Sequence, residues 1–227
     1  MVKIDKEAFR GCLSLTIGDL NIFVDEIKDY AFAECPKITN VNIISHYIYE
    51  GAFQCNLDNP TTIASIKQDE NKDTSTMYAL TIDKYAFYGR TITLEGQQDF
   101  SDLTINEFAF ALCRFNKKSG ETKYGIKIDN NNKIEIGNNA FYRTKLNSDE
   151  KNPFNLIIGK SNGGVNIGYH AFEASTGHLS LTFTHDNEDL ITINDYAFYR
   201  SGIFNTDLED ENKHLRLVDR FEKIGNK

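Results

Sequence analysis

The chain has 227 residues, 40% hydrophobic and 26% charged, a composition that suits a folded protein with a substantial core. Thirty-three acidic against 25 basic side chains leave a net charge of -8, which excludes an unaided nucleic-acid or anionic-membrane binder. No apolar run approaches the roughly 18 residues of a membrane helix, so no membrane insertion is expected in this segment.

In chain order, one pattern recurs. Isoleucine stands four residues before an Ala-Phe pair, first as Ile4 with Ala8-Phe9, followed by an alternating segment Leu13-Ser-Leu15-Thr-Ile17. The second copy is Ile27 with Ala31-Phe32, followed by Val41-Asn-Ile43; the third is Ile48 with Ala52-Phe53. A polar stretch, "KQDENKDTST" (67–76), then reads as a projecting loop. The fourth copy, Ile82 with Ala86-Phe87, leads into Ile92-Thr-Leu94, and the fifth, Ile105 with Ala109-Phe110, into Ile126-Lys-Ile128. Ile136 with Ala140-Phe141, Ile167 with Ala171-Phe172 and Ile193 with Ala197-Phe198 complete eight copies; Leu179-Ser-Leu181-Thr-Phe183 follows the seventh. Spacings of 23, 21, 34, 23, 31, 31 and 26 residues point to a unit of about 23 with insertions such as 59–78, 116–125 and 145–155.

An apolar residue usually stands two before the isoleucine (Val2, Leu80, Leu103, Ile134, Val165, Ile191), although Asp25 and His46 break this rule. Such β-branched alternation predicts a short strand buried on one face. Each unit therefore reads strand, tight Ala-Phe corner, strand, with no sustained helical period. Alanine fits where the backbone passes close to the next coil, and phenylalanine fills the interior by stacking on its counterpart. The fold expected is a right-handed solenoid of eight stacked repeats forming one domain over residues 1–227, since a single unit cannot bury its own apolar face. Residues 205–227, including "LRLVDRFEKIG" (215–225), fall outside the pattern and suit a C-terminal cap.

These residues resemble the BspA-like (Treponema-pallidum-type) leucine-rich repeats. "AFAECPKITNVNI" places Cys35, Ile38, Val41 and Ile43 on that family's C-x-x-L-x-x-I-x-I positions, and "IGNNAF" (136–141) and "IGYHAF" (167–172) match its I-G-x-x-A-F half. The resemblance covers Val2 to about residue 204, although the family's proline after the strand is absent throughout. It implies a leucine-rich-repeat solenoid and a surface protein or adhesin of host-associated microbes.

Candidate sites are few. Cys12, Cys35 and Cys113 lie four residues after the corner alanine and Cys55 three after it; other copies place Arg90, Thr144, Ser175 and Ser201 there. Cys12 and Cys35 fall on adjacent coils, where a disulfide is conceivable, but buried free thiols suit a repeated position better. No C-x-x-C pair, metal-binding histidine spacing, nucleophile elbow or phosphate loop occurs. The acidic run "DLEDE" (207–211) reads as a solvated loop, and His170 as an aromatic-position variant of Tyr30, Tyr85, Phe108 and Tyr196. No catalytic residue, metal or cofactor is expected. The recognition candidates are Tyr88, Tyr142 and Tyr199, directly after the corner phenylalanine, with Arg200. In the fourth, sixth and eighth copies, they form either a broken outward aromatic stripe suited to sugars or protein side chains, or rings packed across neighbouring coils.

The function expected is a non-catalytic protein- or glycan-binding module of a surface or secreted adhesin-like protein; the alternative is an intracellular protein–protein interaction scaffold. "MVKIDKEAF" is not a signal peptide. Because the sequence starts within a repeat, either an upstream cap is missing or the first coil is open to self-association.

Overall fold

A computed structural model describes residues 2–16, 21–38, 41–55, 62–63, 65–67, 80–94, 97–100, 103–121, 124–130, 133–149, 151–161, 163–183 and 191–206. The isoleucine strands Lys3–Ile4, Glu26–Ile27, Tyr47–Ile48, Leu80–Ile82, Leu103–Ile105, Ile134–Ile136, Val165–Ile167 and Ile191–Ile193 line up in sequence order as one eight-stranded parallel sheet. Its register is set by the repeated residue: Ile4 pairs with Ile27, Ile27 with Ile48, Ile48 with Ile82, Ile82 with Ile105 and so on to Ile193. No helix occurs among the described residues.

The return halves build three further parallel sheets. Asn21–Phe23, Asn42–Ile44 and Ser65–Lys67 form a three-stranded sheet, while Thr62–Ile63, Thr91–Leu94, Arg114–Lys117 and Lys145–Leu146 form a four-stranded one. Gln97–Phe100, Tyr124–Asn130, Phe154–Ser161, Leu179–Phe183 and Ile203–Thr206 make the third, of five strands. Of the expected loop at 67–76, Lys67 ends a strand and residues 68–76 lie outside the described residues, as does most of the expected cap; Ile203–Thr206 is a strand of the last coil.

One expected strand is absent. Leu13 and Ser14 form a turn, Leu13 is 58% exposed, and the first coil's return strand is Asn21–Phe23 instead. At the matching place the second coil has Pro36, which lacks the N–H a ladder requires. Alternation without a pairing partner did not make a strand. Val2, expected inside, is 62% exposed.

The eight corner phenylalanines stack in one column, Phe9–Phe32–Phe53–Phe87–Phe110–Phe141–Phe172–Phe198, with centroids 4.6–5.3 Å apart and planes within 19°. Phe32 to Phe198 are at most 3% exposed, whereas Phe9 is 39% exposed. Each such side chain contributes roughly 1.5–3 kcal/mol through burial.

The corner has a definite backbone logic. In seven coils the residue before the alanine is a non-glycine held at positive φ: Glu7, Tyr30, Tyr85, Phe108, Asn139, His170 and Tyr196, with φ of 54–58°. Gly51 takes that place in the third coil, and a Cβ there would lie 2.4 Å from the Tyr30 ring. A second left-handed residue follows three after the alanine: Gly11, Glu34, Gly89, Leu112, Arg143, Ala174 and Arg200. Reversing handedness at these two places points alternate N–H groups at the following coil. Thus Asn139, Phe141 and Arg143 donate to the Tyr169, Ala171 and Glu173 carbonyls at 2.7–2.9 Å, and the same three rungs recur from coil to coil. Those hydrogen bonds offset the cost of a left-handed non-glycine residue.

Candidate functional site

The position four residues after the alanine is a hydrogen-bonding position. The Cys35 thiol donates to the Phe9 carbonyl at 2.8 Å, the Cys113 thiol to Phe87 at 2.9 Å, and the Thr144 hydroxyl to Phe110 at 2.8 Å. In each case a buried donor caps the phenylalanine carbonyl of the preceding coil. All four cysteines are free, and burial pushes the Cys113 thiol up to about 12. Ser175 Oγ is buried with no partner among the described residues.

Arg90 is the extreme member of this set. It is fully buried, and its guanidinium donates to the Phe53 carbonyl, to Cys35 O at 2.9 Å and to Phe32 O at 3.3 Å. The third corner explains why. Cys55, three after Ala52, is buried and does not take the left-handed conformation of its counterparts. The arginine side chain of the fourth coil reaches across that corner and caps the carbonyls of the second. Burial draws its pKa down, with the neighbouring thiols and Glu34 acting the other way. The sequence marked Arg90 as a variant of the cysteine position; the three-carbonyl cap was not foreseen, and a lone arginine in a thiol position was the only signal.

The four recognition candidates lie on the outer edge of the corner. Tyr88 and Tyr142 are half-buried, Tyr199 is 39% exposed and Arg200 is exposed. Buried Ala111 and half-buried Glu173 stand between them and are what breaks the row. Tyr88 meets Tyr85 edge-on at 5.6 Å, and Tyr199 meets Tyr196 edge-on at 5.6 Å. The Arg143 guanidinium stacks over Tyr142 at 5.2 Å and that of Arg200 over Tyr199 at 5.0 Å. A second aromatic column stands beside them, one residue before the alanine: Tyr85 stacks on Phe108 at 5.1 Å and His170 on Tyr196 at 5.3 Å. With Tyr196 at 58% and Tyr199 at 39% exposure, the seventh and eighth coils present an aromatic cluster of His170, Tyr196 and Tyr199, and Tyr169, 49% exposed, precedes His170 in the chain.

The outward face of the eight-stranded sheet carries a polar network in coils two to five. Lys28 pairs with Glu26 at 2.8 Å and lies 3.9 Å over the Tyr49 ring, whose hydroxyl donates to Glu26 at 3.1 Å. Tyr47 donates to Asp83 at 3.4 Å, and Asp83 accepts from Asn106 at 2.9 Å. The hydrogen bond from Lys28 draws the Glu26 carboxyl below the usual range.

The family model for the BspA type leucine rich repeat region matches in six copies, over residues 1–113 and 135–217. The chain belongs to the BspA-type leucine-rich repeat family. Neither the curated proteins nor the solved structures gave a match. As a BspA-type leucine-rich repeat chain it is a repeat module of a family that serves protein binding and is generally non-catalytic. The family's cysteine position is, in this chain, the carbonyl-capping position, filled by a thiol, a hydroxyl or a guanidinium according to the reach required.

The nearest approach to a catalytic constellation in this leucine-rich repeat lies beside a cavity of about 170 Å³ lined by Val2, Phe23, Val24, Asp25, Ile44, Ser45 and His46. Asp25 and His46 are 3.5 Å apart, the two residues that break the apolar rule of their strands. Ser45 completes the residue types of a hydrolytic triad but not its geometry. Its hydroxyl meets the Asp25 and Tyr47 carbonyls at 3.2 and 3.3 Å, with no hydrogen bond to the imidazole. Among the described residues no group of three or more His, Cys, Asp or Glu is placed to hold a metal ion, and no helix is long and apolar enough to cross a membrane.

Proposed function

We propose that this leucine-rich repeat is a non-catalytic module that recognises a protein or glycan as part of a surface or secreted, adhesin-like protein. The observation that carries the reading is the aromatic cluster on the corner edge of the last two coils. Tyr169, Tyr196 and Tyr199 are 39–58% exposed, and the corner that carries Tyr196 and Tyr199 is held to the seventh coil by the rungs from the His170, Phe172 and Ala174 N–H groups. Large exposed rings on a rigid support are typical recognition anchors, since ordering them costs little side-chain entropy.

The competing reading, an intracellular scaffold, draws on the thiols: Cys35 and Cys113 serve as hydrogen-bond donors and not as disulfides. Immunofluorescence with an antibody to this chain decides between the two. Staining of intact cells is expected; staining only after permeabilisation would favour the scaffold. For the site itself, the purified chain is expected to bind immobilised surface proteins or glycans, and Tyr196→Ala with Tyr199→Ala to weaken that binding by about tenfold or more.

A further inference from the structure

The outward side of the four-stranded return sheet carries an unusual charge arrangement. Arg114 and Lys145 stand directly opposite one another in register, on strands Arg114–Lys117 and Lys145–Leu146, and both are exposed. Two residues before each lie Leu112, 43% exposed, and Arg143, exposed. These four residues make a compact face across the fifth and sixth coils. Like charges directly opposite on adjacent strands are destabilising, so folding alone does not account for the pair.

Nor is the pair relieved by acidic neighbours. Elsewhere lysine and arginine side chains lie within 4 Å of a carboxylate, among them Lys3, Lys6, Arg10, Lys28, Lys84, Lys127 and Lys133. Arg114, Arg143 and Lys145 have no carboxylate partner among the described residues, in a chain with 33 acidic side chains to choose from. Two nearby carboxylates are occupied. Glu173 is held in a short contact by His170, and Asp149 accepts from the backbone N–H groups of Lys151 and Asn152 at 2.9 Å.

We propose that this face binds an acidic peptide segment of a partner protein. The inference rests on the reading of the chain as a binding module and names a partner chemistry for it. The Arg143 guanidinium lies 5.2 Å from the centre of the Tyr142 ring, a cation–π contact that steadies it without neutralising its charge. Leu112 adds an apolar contact beside the cations, which a peptide of mixed acidic and aliphatic residues can use and a sulfated polysaccharide cannot. The net charge of -8 acts in the same direction: a long polyanion would extend beyond this small face onto acidic surface, whereas a short segment would not.

The test is fluorescence anisotropy with a labelled synthetic peptide of alternating glutamate and leucine, with heparin measured in parallel. Saturable binding to the whole chain at low salt is expected, weakening as salt screens the charges. The double variant Arg114→Gln/Lys145→Gln should lose about tenfold in affinity, each exposed charge contributing on the order of a few-fold. Lys84→Gln, removing a cation already paired with Glu107, should change affinity less than about twofold. The double variant should also melt no lower than the parent, because it removes a repulsive pair. No saturable peptide binding, equal binding by the double variant, or binding of heparin alone would each overturn the proposal. Failure of peptide binding with Tyr196-dependent binding retained would show that only this face was misassigned and that the binding-module reading stands.

Discussion

The two halves of each repeat obey different rules. On the isoleucine and Ala-Phe side, all eight coils share one uninterrupted sheet, one phenylalanine column and the same three corner rungs. On the return side the strands divide into sheets of three, four and five, and the connecting lengths vary. The corner admits little change because its three N–H groups must each meet a carbonyl of the next coil, which in seven of the eight coils is accompanied by two left-handed residues at fixed places. A return segment needs only to bury alternate apolar residues before coming back, and extra chain closes as a loop at small entropic cost. The third corner is the instructive exception. There Cys55 is buried and lacks the left-handed conformation of its counterparts, and a buried guanidinium from the fourth coil caps carbonyls of the second.

The contrast is best broken by insertion. One extra residue between Asn138 and Asn139 should cost about 6 kcal/mol, six rungs at roughly 1 kcal/mol each, while one after Gly120, in an exposed turn, should cost about 0.5 kcal/mol or less; thermal denaturation of the pair checks this. Phe110→Ala or Phe141→Ala should destabilise by about 3–5 kcal/mol, and an unchanged melting temperature would remove the column from the core. Arg90→Met should cost about 3 kcal/mol by leaving three carbonyls without their donor, and chemical denaturation showing less than about 1 kcal/mol would reject the capping role. Thr144→Val removes a single bond to Phe110 O and should cost about 1 kcal/mol. The smallest effect is chemical. Since burial raises the Cys35 and Cys113 pKa values and Cys55 is also buried, a thiol reagent at pH 8 should label only Cys12 in the native state and all four cysteines after unfolding.

Much of the invariant half was legible in the sequence. Isoleucine, alanine and phenylalanine at fixed offsets can serve one purpose only when repeated, and the Ile105–Ile136 register and Phe110–Phe141 stack follow directly. The return half was less legible, as Leu13 to Thr16 illustrates: alternation indicates which side chains could be buried, but a strand also needs a ladder of N–H donors alongside, and Pro36 at the matching place has no N–H to give. For the candidate sites, spacing put Tyr88, Tyr142 and Tyr199 in a broken row on alternate coils. The intervening Ala111 and Glu173, and the column before the alanine, leave Tyr199 clustered with Tyr196 and His170 instead.

The sequence by itself determined the solenoid, its eight-coil period and its phenylalanine core, because these depend on contacts between identical positions. Only the tertiary structure decided what the non-identical positions do. Arg90 caps carbonyls two coils away, and Arg114 faces Lys145 across a 31-residue interval. Such pairings depend on how each return segment closes, a property of chain geometry and packing and not of any repeated residue.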